Sequence, residues 1–150
     1  MDRTSIRVST FQVHGITGVH IDNNPDFDRS VSNSESIEHA GKLLKKVYDR
    51  NDRVFMVVEL SEGSLGISVV PSIKRMLESL HSLAIEKLIC TVLVNPGTIT
   101  NAVVDAIMFG GYEPVAPIER AKTFQHSITE ITPHLIEEVK KRKVRHSATV

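Results

Sequence analysis

Apolar residues along the chain alternate first, then run unbroken, then recur at intervals of three and four. "IRVSTFQV" (Ile6–Val13) partly alternates and reads as a strand. Gly15 and Gly18 flank a turn, and "GVHID" (Gly18–Asp22) returns as a second strand, so a hairpin is predicted. "NNPDFDRSVSNS" is polar and reads as a loop. Ser32 and Glu35 have the S-x-x-E spacing of a capping box. Ile37, Ala40, Leu44, Val47 and Tyr48 then mark one face of an amphipathic helix, which "NDR" ends. Val54–Leu60 is a short, valine-rich apolar run, the pattern of a central strand buried on both faces. Pro71 suits the first turn of a helix, because its missing N–H would be unpaired there anyway. Ile73, Met76, Leu77, Leu80 and Leu83 predict one continuous stripe, with Lys74, Arg75, Glu78 and Ser82 on the wet side.

"KLICTVLV" (Lys87–Val94) is a second buried strand, broken by Asn95-Pro96-Gly97. Ala102, Val103, Ala106, Ile107 and Phe109 form the next helical stripe, and Gly110-Gly111 stops it. "EPVAPI" (Glu113–Ile118) reads as a short strand whose prolines place it at a sheet edge or end. Phe124, Ile128 and Ile131 predict a further helix. Thr132 and Pro133 read as the cap and first turn of a separate final one, with Leu135, Ile136 and Val139 inward. Strands and helices alternate from the third strand onward. The expectation is therefore an α/β fold: a mixed, mostly parallel sheet with an N-terminal β-hairpin and alternating helices. One domain is expected over 1–139, followed by a basic, frayed tail over 140–150.

Charge narrows the function classes. The chain has 150 residues and zero net charge, which gives no support to a general nucleic-acid binder. Cys90 is the only cysteine, so no internal disulfide forms. Met1–His20 lacks the apolar core of a signal peptide, and no window is long and apolar enough for a membrane span. A cytoplasmic location is expected.

Catalytic patterns are absent from the sequence. The seven histidines show no metal-ligand spacing, and there is no G-x-S-x-G elbow. The loop "ELSEGSLGISVVPS" (Glu59–Ser72) has neither the Walker pattern nor G-x-G-x-x-G. No enzyme activity, metal or cofactor is expected. Glu59 and Glu62 flank the loop as paired carboxylates or solvated acids. Ser64, Ser68 and Ser72 lie close to a helix start, whose free N–H groups suit either a capping hydroxyl or a phosphate carried by a serine. Gly63 and Gly66 let the chain bend there.

The run "VFMVVELSEGSLGISVVPSIKRMLESLHSLAIEKLICTVLVNPGTITNAVVDAIMFGGYEPV", with its element order, resembles a STAS domain. That is the fold of anti-sigma factor antagonists and of the cytoplasmic tails of sulfate transporters. The resemblance covers Ile6 to Ile131. It implies a non-enzymatic regulatory domain acting by protein–protein contact, with an anti-sigma factor or serine kinase as partner. An ungapped count back from "KLIC" puts Ser68 at the family's phosphoserine position, with Gly66, Ile67 and Val69 where the family motif has an acid, a serine and a glycine. The implied docking surface is Glu62, Gly63, Ser64, Gly66, Ser68 and Ser72. The alternative is a regulatory α/β domain that binds a small molecule or nucleotide at Glu62–Ser68 and Asn95–Thr98, the carboxyl ends of the strands.

Overall fold

The computed structural model describes residues 4–60, 69–109 and 116–138. The chain begins with β1 (Ile6–Val13) and β2 (Ile16–Asn23), paired antiparallel from Ile6↔Asn23 to Val13↔Ile16. The two turn residues are His14 and Gly15, at φ 51° and 79°. Positive φ at both central positions gives the turn twist that matches a hairpin. Gly18, expected to open the second strand, lies two residues inside β2, and Gly15, expected to flank the turn, is in it. Gly18 is small because aromatic rings lie over it: a Cβ there would stand 2.5 Å from Phe55 Cζ and 2.6 Å from Phe11 Cζ.

Helix α1 (Asn33–Arg50) starts where the capping box predicts, and the Ser32 hydroxyl accepts from the Glu35 N–H at 3.1 Å. Asn51 closes it, its side chain donating to the Val47 carbonyl at 2.8 Å. β3 (Val54–Glu59) follows, then α2 (Val70–Ser79), α3 (His81–Lys87), β4 (Leu88–Val94), α4 (Thr98–Phe109) and β5 (Ile118–Ala121). The sheet order is β1-β2-β3-β4-β5, and β2–β3, β3–β4 and β4–β5 run parallel. Val54–Glu59 and Leu88–Val94 thus lie side by side and parallel, as expected for two strands joined by a helical crossover.

Strand alternation sorts the core into two layers. From β3, Val54, Met56 and Val58 face one cluster, and Phe55 and Val57 face the other. A bulge between the Val54↔Leu88 and Met56↔Thr91 pairs inserts one extra β4 residue. Ile89 and Cys90 consequently face the same cluster. Sequential strand order with crossovers of one hand places successive helices on one face. Residues of α1, α2, α3 and α4 accordingly border the Val54 side. The opposite face is covered by the C-terminal helical segment, which supplies Phe124, Ile131, Leu135 and Ile136.

Three expectations need correction. The predicted single stripe Ile73–Leu83 is two helices, broken at Leu80 (φ −100°, ψ 1°). There the Met76 carbonyl accepts both the Leu80 N–H at 3.1 Å and the Ser79 hydroxyl at 2.7 Å, while Leu80 itself leaves helical dihedrals. The edge strand begins at Ile118 rather than Glu113. Proline cannot donate to a ladder, and pairing starts as the Pro117 carbonyl accepts from the Thr91 N–H at 3.0 Å. Residues 113–115 of the predicted strand lie outside the described residues. Finally, Thr132 is no cap. It has helical dihedrals (φ −61°, ψ −45°) within one path that runs from α5 (Phe124–His126) through a π-helical turn (Ser127–Ile131) into 132–138. Pro133 has no N–H and crowds the carbonyl four residues back, and the helix absorbs this by widening: the Thr132 N–H bonds the Ser127 carbonyl, five residues back.

Candidate functional site

Between the sheet and α1, α2 and α4 lies a cavity of about 230 Å³. Its floor follows from strand alternation: Ile21 of β2, Met56 and Val58 of β3, Thr91 and Leu93 of β4. Leu44 of α1, Ile73, Met76 and Leu77 of α2, and Val103 and Val104 of α4 form the roof. Tyr48, Thr91 and Thr100 bring the hydroxyls to this wall, and no charged side chain lines it among the described residues. Thr100 Oγ1 is already engaged with the Leu60 carbonyl at 3.3 Å.

The break at Leu80 accounts for the space. α3 beds down through Ala84, which is 6% exposed, while Lys87 Nζ ties its end to the Tyr48 carbonyl. α2 is not drawn down with it. None of its residues is buried, although Ile73, Met76 and Leu77 point toward the sheet. A helix whose apolar stripe looks into unfilled space forgoes the dispersion contacts that close packing would give it.

Outside the cavity, α1 and α2 form a second, open groove. Its walls carry Lys42, Lys45 and Arg75, the acid Glu38, and the hydroxyls of Ser34, Ser72 and Ser79. Ser72 Oγ donates to Ser34 Oγ at 3.1 Å, and Arg75 donates to Ser72 Oγ at 3.3 Å. The helices approach closely at Gly41, where a Cβ would stand 3.0 Å from Met76 Cγ.

Of the residues of the implied docking surface, Ser72 is the one described. It sits inside the first turn of α2, not at its cap, which is Val69 without a side-chain bond. Glu62, Gly63, Ser64, Gly66 and Ser68 lie outside the described residues. Glu59 is at the end of β3 and pairs with His20 Nε2 at 3.1 Å, on the sheet face away from the cavity. The His20 ring packs against Phe124 at 4.3 Å. Cys90 is fully buried. Burial, with the Glu119 carboxylate adding to it, pushes its thiol up to about 12, so it carries no thiolate at neutral pH. Among the described residues no cluster of three or more His, Cys, Asp or Glu could hold a metal, and no helix is long and apolar enough to cross a membrane.

The site residues that sequence reasoning missed are the cavity walls and the Lys42–Lys45–Arg75 rim. Gly41 on the α1 stripe was the one local signal of a close helix approach. No family model, curated protein or solved structure matches the chain.

Proposed function

We propose that this chain is a non-enzymatic regulatory domain of STAS-like build that binds an apolar small molecule between its sheet and α1, α2 and α4. The observation that carries this reading is the cavity itself: about 230 Å³, walled by aliphatic side chains, under a helix with no buried residue. A cavity of about 150 Å³ lined by such residues stays dry and lodges benzene, so an apolar occupant is the natural one here. The ligand gains its hydrophobic transfer energy, and α2, whose Ile73 and Met76 are only partly buried against the core, gains further contacts.

The test is thermal unfolding with n-decanol, a neutral apolar probe. A ligand at a hundred times its Kd adds about 2.7 kcal/mol to stability, enough to raise the midpoint by several degrees. Val104→Phe, which fills space from the α4 side, is expected to remove that shift. No shift with decanol in the unsubstituted protein overturns the reading.

A second reading keeps the resemblance at its full extent: an anti-sigma factor antagonist-type switch that docks a protein partner through Glu62–Ser72, with Ser68 phosphorylated. The position of Ser72 favours it, since its hydroxyl joins α1 and α2 at the start of the helix that follows this loop. Added charge there would act on the α1–α2 seam. Binding of Ser68→Asp and Ser68→Ala to a co-purifying partner tests it. Weakened binding of the Asp variant alone supports the switch, and equal binding by both rejects it.

A further inference from the structure

The apolar cavity and the basic groove lie back to back across the α1–α2 seam. Ile37, Met76 and Leu80 line both, so the α1–α2 seam has an aliphatic inner side and a cationic outer side. Three cations meet one acid along the outer walls. The cations are already partnered, but loosely. Lys42 reaches Glu38 at 3.8 Å and Lys45 reaches Asp49 at 4.0 Å, all with side chains more than half exposed. Such pairs are worth little and yield easily to a stronger anion. The Ser34 and Ser72 hydroxyls and the Arg75 guanidinium already form one hydrogen-bonded string across the seam, where an anionic oxygen would find donors from both helices. Between the two spaces stands Met76, an unbranched and adaptable side chain, set against Gly41, which has none.

We propose that this seam binds an anionic single-chain amphiphile, a fatty carboxylate or a monoalkyl phosphate. The head sits among Lys42, Lys45 and Arg75, and the tail passes Met76 into the cavity. This rests on the reading of the cavity as a ligand site and adds to it the charge and shape of the ligand. If about 150 Å³ lodges the six carbons of benzene, about 230 Å³ gives room for roughly nine, so a chain of eight to ten carbons fits. A neutral molecule would satisfy the cavity but leave the rim unused. A free inorganic anion would do the reverse.

The experiment is isothermal titration of the full chain with decanoate, decyl phosphate, decanol and inorganic phosphate. Decanoate and decyl phosphate are expected to bind about tenfold more tightly than decanol, the combined effect of three exposed charge contacts of modest strength each. In the triple variant Lys42→Gln/Lys45→Gln/Arg75→Gln the advantage of the anions falls to near unity while decanol binding is unchanged. The three side chains are exposed, and retained decanol binding reports an intact fold. Raising the salt from about 0.05 to about 0.5 M narrows the preference in the unsubstituted chain, because exposed charges are screened. Decanol binding without an anion preference, or a preference that survives in the triple variant, overturns the amphiphile assignment and leaves the cavity reading standing. Inorganic phosphate that binds as tightly as decyl phosphate overturns it too, since the tail would then contribute nothing. Failure of all four probes removes both readings together.

Discussion

The two faces of the sheet are built from the same strands and packed to different ends. On one face a single helical segment closes over Phe11, Phe55, Val57 and Val92. The rings meet edge-on, Phe11 with Phe55 at 5.4 Å and with Phe124 at 5.2 Å. On the other face α1, α2, α3 and α4 leave about 230 Å³ between themselves and the strands. More helices thus give looser packing. What closes a layer is whether the chain lets each helix descend onto the sheet, and α2, cut off at Leu80 from the anchored α3, does not. The dense face supplies the stability that allows the other face to remain open.

The largest expected difference comes from truncation. Phe55 is fully buried on the dense face, and Phe55→Ala should cost about 3–5 kcal/mol by chemical denaturation, the usual range for emptying an aromatic site. Met76→Ala, a half-buried residue that already borders empty space, should cost about 1 kcal/mol or less. Equal costs would mean that the cavity face is packed as tightly as its opposite.

One methylene added to neighbouring residues sharpens the comparison. Val57 and Val58 are adjacent in β3 and point to opposite faces. Val57→Leu overpacks a closed layer and is expected to destabilise by about 1–3 kcal/mol. Val58→Leu extends into the cavity and should be neutral or stabilising by up to about 1 kcal/mol. The same sign for both would remove the distinction between the faces.

The difference that Cys90→Ala makes to alkaline unfolding reads the dense face. The Cys90 thiol is raised from 9.0 to about 12 in the folded chain. Below about pH 9 it is neutral in both states and contributes no slope. Between about pH 9 and 12 the unfolded chain ionises while the folded one does not, so stability falls with rising pH by about 1.4 kcal/mol per unit from this group. Cys90→Ala should lessen that slope in denaturation curves taken from pH 8 to 11. An unchanged slope would mean that solvent reaches the thiol.

Much of this arrangement is legible in the sequence because it depends on periodicity. Alternation in Ile6–Val13 and the valine run at Val54 give the strands, and Ser32 with Glu35 marks the start of α1. The features that failed are decided by single residues or by volume. The break at Leu80 is a change of dihedral at one residue, φ −100° and ψ 1°, although the apolar spacing runs unbroken across it. Pro133 after Thr132 looks the same in sequence whether it opens a new helix or widens an old one. The cavity has no sequence pattern at all: spacing tells which residues turn inward, not whether they meet. Arg75 reads correctly as a wet-side residue, but that it shares a groove with Lys42 and Lys45 emerges only when α2 is laid against α1.

The smallest effect concerns a flaw in the dense face. Thr132 is fully buried there, and its Oγ1 has no hydrogen-bond partner among the described residues. Hydroxyls in helices often bond to a carbonyl one turn back. That of Thr132 does not, in a widened turn where its own backbone N–H reaches the Ser127 carbonyl five residues back. Burying an unpaired hydroxyl costs on the order of 1–3 kcal/mol relative to water, whereas a methyl of the same shape costs nothing there. Thr132→Val keeps the volume and the β-branch, so packing against the strands is preserved. The expected outcome is a gain of about 1 kcal/mol in urea unfolding, with decanol binding on the other face unchanged. A loss of stability would show that the hydroxyl has a partner, and that the dense face is polar at its centre rather than merely imperfect.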